Sequence, residues 1–176
     1  MENNRNTNVR KLTLAALFAA FTCVATLLIQ VPTPTKGYVN LGDCLVNISA
    51  WLLGPFYGAA AAGIGSSMAD VISGYTVYAP ATLVIKALMA VVSWAIYSTA
   101  SRRLHTVSAR IVAAAFAEVV MATGYVLFEA VIYHSFAAAA VGIPANLVQG
   151  AMGAATAVAV YELVIKRIPR ITKITK

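Results

Sequence analysis

The chain has 176 residues, 60% of them hydrophobic and 11% charged, with a mean hydropathy of +0.79. Water-soluble domains carry roughly 25% charged residues, so an ordinary soluble fold is excluded. The net charge of +7 and pI near 9.7 do not point to nucleic acid, because the basic residues sit at the ends of apolar stretches and form no single basic face.

The first apolar stretch runs from about Leu12 to Val31 behind Arg5, Arg10 and Lys11, and ends at the turn-forming Pro32-Thr-Pro34-Thr. About 20 apolar residues suit a membrane span better than the h-region of a signal peptide. The next two, about Val39 to Leu53 and Phe56 to Ser73, are divided only by Gly54-Pro55. Read as one kinked helix they would leave five spans and export the segment holding Arg102, Arg103, His105 and Arg110. Gly54-Pro55 is therefore expected to be a tight cytoplasmic turn between two spans. The first of these is short for a bilayer core of about 30 Å, so protein is expected to cover its outer end.

Span four is expected from about Pro80 to Ala100, span five from Ser108 to Tyr133, and span six from Pro144 to Ile165. Lys166, Arg167, Arg170, Lys173 and Lys176 follow the last span, whereas the outer gaps hold only Lys36. The positive-inside bias then places both termini in the cytoplasm. The expected architecture is an all-α integral membrane protein, one bundle of six transmembrane helices filling residues 1–176 in the plasma membrane. Small residues crowd span three, from Ala59 to Ser67, and span six, at Gly150, Gly153, Ala154 and Ala155, where they allow close helix approach. Cys23 and Cys44 lack metal-ligand spacing and are expected to be free thiols; no metal site and no P-loop are visible.

Buried polar residues collect at one depth. Lys86 lies about 9 Å inside span four from its outer end; Asp70 and Glu129 are each about 6 Å from the outer ends of spans three and five. Asn146 and Gln149 open span six on one face, and Asp43 and Asn47 open span two. Ionisable groups in a bilayer are costly unless paired or solvated, so their clustering predicts a water-accessible ligand cavity. The plainer alternative is a buried Asp70–Lys86 ion pair with Asp43 as a helix cap. Glu118, Tyr125 and Glu129 share a face of span five, with Glu118 near mid-bilayer as either a pocket floor or a packing contact. Tyr75, Tyr78, Tyr133 and His134 belong to the outer interface, where aromatic residues gather by default and can also stack on a flat ring. Trp51, Trp94 and Glu162 are expected to anchor and pack on the inner side.

The succession Gly37-Tyr-Val-Asn-Leu-Gly-Asp43, Trp51-Leu-Leu-Gly-Pro55-Phe-Tyr-Gly58, Gly65-Ser-Ser-Met-Ala-Asp70 and Ala81-Thr-Leu-Val-Ile-Lys86 resembles the substrate-binding S components of energy-coupling factor (ECF) vitamin transporters, in particular the group that includes riboflavin, hydroxymethylpyrimidine and pyridoxine S components. The resemblance implies a six-helix subunit that captures a vitamin from outside under a loop joining the first two spans. It also implies a T component and two ATPase subunits as partners, with ATP used by those subunits and no cofactor in this chain. Ala15, Ala16, Ala19 and Ala20 match that family's small-residue docking motif.

The expected function is thus binding, without covalent chemistry, of a small ring-containing B vitamin or precursor. Asn40 and Asp43 are expected at the gate, Tyr78 and Lys86 beside span four, Tyr125 and Glu129 on span five, and Asn146 with Gln149 on span six. Glu129 would accept from ring N–H or amino donors, and Lys86 would meet a hydroxyl or acidic group. An ion-coupled secondary transporter would use Asp70 or Glu118 but normally needs repeats with broken helices. An intramembrane enzyme would need a nucleophile–base or metal arrangement, and none is visible.

Overall fold

A computed structural model describes residues 2–33 and 37–168. Pro34 and Lys36 of the expected outer loop, and Arg170, Lys173 and Lys176 of the basic tail, lie outside the described residues. The chain is helical almost throughout: α1 (Glu2–Leu28), a short hairpin of β1 (Gln30–Pro32) and β2 (Tyr38–Asn40), α2 (Gly42–Ile72), α3 (Ala79–Ala100), α4 (Thr106–Ile132), the short α5 (Phe136–Ala140), α6 (Ile143–Leu163) and a closing 3-10 turn, Ile165–Arg167. Five of these helices are long and apolar enough to cross a membrane. Their outward faces carry large apolar side chains, among them Phe21, Leu88, Phe116, Val119 and Leu147, a surface that only a lipid phase or a partner would cover without penalty.

Helix α2 is two helical segments broken at Gly54, whose φ of 79° and ψ of −174° are open to glycine and costly for other residues. A Cβ placed on Gly58 would lie 2.9 Å from the Cα of Ala50 and 3.0 Å from the carbonyl oxygen of Ser49. Eight residues of straight helix span about 12 Å, so that contact requires the chain to double back. Residues 42–53 and 55–72 are therefore two arms that fold back on one another. The first is the more buried: Val46, Ile48, Ala50 and Leu52 are sealed in the core with Met89, Ala114 and Met121. This arm is too short to span alone and is wrapped by its neighbours, α1, α3 and α6 all packing on α2.

At the Gly54 end, Arg110 of α4 ties four chain segments together. Its guanidinium lies 3.7 Å from the ring centre of Tyr161, 5.0 Å from that of Tyr97 and 5.9 Å from that of Trp51. It pairs with Glu162, which also accepts from Lys166 at 3.0 Å, and it donates to the Tyr97 hydroxyl at 3.0 Å. Trp51 and Glu162 thus form a packed ionic and aromatic knot. Cation–π and ionic contacts sheltered from water are stronger than exposed ones, and this one holds the bundle closed at the end opposite the polar layer.

The opposite end contains features the sequence pattern does not announce. The loop expected between the first two spans is a hairpin, paired Gln30 to Asn40, Val31 to Val39 and Pro32 to Tyr38. It is pinned by Gln30 Nε2 donating to Ser73 Oγ at 2.7 Å. Helix α2 ends in a C-terminal cap: Gly74 at φ 84°, the Tyr75 amide bonding back to Asp70 O at 2.8 Å and the Gly74 amide to Val71 O at 3.3 Å. This turn places Tyr75 beside the hairpin. Helix α4 closes in the same way, with His134 at φ 48° in the position glycine usually takes.

Candidate functional site

Between the hairpin and the adjoining ends of α2, α3, α4 and α6 lies a narrow, open-mouthed polar cavity of about 30 Å³. Seven of the eight residues expected to bind a ligand line it: Asn40, Tyr78, Lys86, Tyr125, Glu129, Asn146 and Gln149. They come from β2, the start of α3, α4 and α6, so segments distant in sequence converge on one space. Tyr78 donates to Glu129 Oε1 at 3.3 Å and meets the Tyr133 hydroxyl at 3.1 Å; Tyr125 and Thr82 share a hydrogen bond of 3.0 Å.

Asp43, the eighth, lies one layer deeper. It is fully buried and ion-paired with Lys86, whose side chain is itself 2% exposed. Its second carboxylate oxygen accepts from Gln149 Nε2 at 2.7 Å, and Gln149 Oε1 in turn accepts from the Asn40 amide at 3.0 Å. The alternative pairing of Lys86 with Asp70 is therefore corrected, as is the reading of Asp43 as a helix cap. The start of α2 is held instead by Asn40 Oδ1, which accepts from the Gly42 amide at 2.8 Å. Asp70 lines the cavity wall and accepts from the Tyr38 hydroxyl. Burial, followed by the hydrogen bond to Asp70, pushes the Tyr38 phenol well above its usual range, so it stays protonated as a donor.

Glu118 is outside the cavity lining. It sits below Asp43, accepting from Asn47 Nδ2 at 3.1 Å, while Ser93 donates to Asn47 Oδ1 at 2.7 Å. Gly150 and Gly153 make room for it: a Cβ on Gly150 would lie 2.9 Å from Glu118 Cβ, and one on Gly153 would lie 3.0 Å from its Oε1. Of the two readings open for Glu118, the geometry gives the packing contact, in a hydrogen-bonded layer beneath the cavity floor.

Thr26, Thr33, Gly37, Tyr38, Ser66, Tyr75 and Thr82 also line the cavity. Tyr75 belongs to the outer aromatics, and Gly37, Tyr38, Ser66 and Thr82 lie in the segments that carry the family resemblance; Thr26 and Thr33 carry no signal beyond being small and polar near an outer end. Tyr38 lay in plain view in the Gly37-Tyr-Val-Asn segment, and its stacking on Tyr75, with ring centres 4.8 Å apart, depends on the hairpin.

The four alanines of α1 do not behave alike. Ala15 is buried in the core and Ala19 is partly packed against it, whereas Ala16 and Ala20 face outward. All four border an apolar groove between α1 and the second arm of α2.

The family model for the ECF-type riboflavin transporter S component matches residues 6–166, nearly the whole chain. The chain belongs to this family. Its S-component fold is matched by a solved chain from a study of the structure and mechanism of the S component of a bacterial ECF transporter, with a TM-score of 0.69 over 91% of this chain and 98% of that one. At 16% identity that likeness concerns the fold alone. An uncharacterized Pyrococcus woesei protein, described by its position in a gap 3' region, is 48% identical over 64 residues, covering 36% of this chain and 43% of its own length. The match thus spans less than half of that relative. As an ECF S component the chain is a multi-pass membrane protein of a transport system and not an enzyme. Among the described residues no group of three or more His, Cys, Asp or Glu side chains is placed to hold a metal ion.

Proposed function

We propose that this S component captures a small, ring-containing B vitamin or vitamin precursor in the cavity beneath the β1–β2 hairpin. The convergence of Asn40, Tyr78, Lys86, Tyr125, Glu129, Asn146 and Gln149 on one pocket is the observation that carries this reading. Four tyrosines, Tyr38, Tyr75, Tyr78 and Tyr125, offer ring faces to a flat ligand, while the Glu129 carboxylate and the amides of Asn146 and Gln149 orient its polar edge. The family's description makes riboflavin the first candidate.

In this proposal the two arms of α2 are separate crossings, giving six, with both termini and the Arg102–Arg110 segment in the cytoplasm and the cavity open to the outside. Support comes from the reversal at Gly54 and from the basic residues gathered around the Arg110 knot, at the end away from the cavity. Release into the cell then depends on a T component and two ATPase subunits, as the family implies, with Ala16 and Ala20 on the docking face. Identification by mass spectrometry of the small molecule that co-purifies with the protein tests the reading. A B vitamin or close precursor is expected; an ion-coupled substrate of another class, such as an amino acid, would refute it.

A further inference from the structure

The residues expected to meet the ligand come from β2 and from α3, α4 and α6, which leaves the wall built by α1 and the second arm of α2 without an assigned role. That wall carries Thr26, Ser66 and Asp70, which line the cavity and are 2%, 2% and 4% exposed. Thr26 Oγ1, Ser66 Oγ and Asp70 Oδ2 are buried and have no hydrogen-bond partner among the described residues. Serine and threonine inside a helix commonly turn the hydroxyl onto a carbonyl of the preceding turn. Their neighbours do so: Thr22 Oγ1 donates to Phe18 O at 2.8 Å and Ser67 Oγ to Ile64 O at 3.2 Å. Thr26 and Ser66 do not, and a buried polar group left unpaired is costly. Asp70 is half engaged: the Tyr38 hydroxyl donates to Oδ1, whereas the nearby Thr82 hydroxyl is shared with Tyr125 at 3.0 Å and Oδ2 has no bonded donor. The wall is also closely packed. A Cβ on Gly65 would lie 2.4 Å from Ala19 O and 2.9 Å from Thr22 Cβ, so α1 and the second arm of α2 press together just before Thr26 and Ser66. Ser66 and Asp70, four residues apart, share one face of that arm.

We propose that Thr26, Ser66 and Asp70 form a second binding subsite, which takes a hydroxylated side arm of the ligand while the tyrosines and amides of the other walls hold its ring. The proposal rests on the vitamin reading of the cavity and deepens it. The inventory of donors and acceptors selects the chemistry. A carboxylate oxygen only accepts, whereas each side-chain hydroxyl can donate one proton and accept another. An alcohol group matches that set, because it donates to Asp70 Oδ2 and accepts from Ser66 or Thr26 through the same oxygen. A carbonyl or an unprotonated ring nitrogen would set its lone pairs against the carboxylate, and an alkyl group would leave all three atoms unpaired. An arm with more than one hydroxyl can serve both helices.

The test uses the full-length protein in detergent and calorimetry with two probes: riboflavin, and lumiflavin, in which a methyl group replaces the hydroxylated arm on the same ring system. Riboflavin is expected to bind at least about tenfold more tightly. Thr26→Val and Ser66→Ala each remove one hydroxyl with little change of shape. Each is expected to weaken riboflavin by about threefold to tenfold and to leave the affinity for lumiflavin at the parent's value. Riboflavin that fails to bind the parent protein refutes it as the ligand of this cavity and takes the inference with it. If riboflavin binds but lumiflavin binds equally well, or both folded variants bind riboflavin as the parent does, the vitamin reading stands and the subsite alone is overturned. Equal weakening of both probes also overturns it, because the hydroxyls then support the wall and do not touch the arm. The two substitutions lie on different helices, so if one variant does not fold the other decides.

Discussion

A lysine buried to within 1% of complete inaccessibility is stable in an apolar bundle only while its counter-ion stays in place. Lys86→Met alone strands the Asp43 carboxylate in the core and is expected to cost about 3 to 5 kcal/mol, read as a lowered unfolding midpoint in detergent. Replacing both members, with Lys86→Met and Asp43→Leu together, should recover much of that loss, since a buried pair exchanged for apolar groups is often near neutral. A single variant as stable as the parent would mean the pair is not what holds this layer. The sequence showed that Asp43, Asp70 and Lys86 share a depth, but not which carboxylate the lysine meets. Depth follows from counting residues along a helix. Partner choice depends on how α3 is rotated against the two arms of α2, and that rotation is set by packing such as Gly63 against the Leu83 backbone.

At the scale of elements, Gly54 and Pro55 were legible because a glycine followed by proline interrupts an apolar run and because the charge pattern needed a turn there. The structure breaks α2 at Gly54, and the close approach of Gly58 to Ala50 and Ser49 shows the chain folding back there. Gly58→Val should force the arms apart against the Ala50 and Ser49 backbone, at about 1 to 3 kcal/mol or more, measured by the same unfolding assay. Stability equal to the parent's would show that the arms do not press together at this point. The β hairpin was not legible. Two strands of three residues give too short an alternation to detect, and Pro32 and Pro34 read as turn formers. Helices α3 and α6 begin at Ala79 and Ile143, one residue before Pro80 and Pro144, and α2 ends at Ile72 just before Ser73-Gly74. Helix α1 begins earlier than its apolar stretch, at Glu2, so its first turns carry polar residues.

For the whole molecule, the described structure fixes which features share an end of the bundle and leaves the membrane's sidedness to the charge argument. Single cysteines at Lys36 and at Arg103, in a background without Cys23 and Cys44, are expected to differ on intact cells: an impermeant maleimide should label the first and spare the second. The opposite pattern would invert the threading. The docking face can be narrowed by geometry, because Ala15 is committed to the core while Ala16 and Ala20 face outward. Ala16→Trp is therefore expected to leave ligand binding by the isolated subunit near normal yet block uptake in cells that also make a T component and its ATPases. Normal uptake would remove α1 from the docking surface, and binding lost in the isolated subunit would assign the alanine to internal packing.

The cavity is the proposed seat of the ligand, and calorimetry with the co-purified molecule on Glu129→Ala and Asn146→Ala proteins tests this most directly. Each substitution removes a polar group from a different helix while leaving the Lys86–Asp43 pair intact. Both are expected to weaken binding by about 1 to 3 kcal/mol, the loss typical of a buried hydrogen-bond partner, with each protein still monodisperse in detergent. Two folded variants that both bind with the affinity of the parent would contradict the assignment of this cavity.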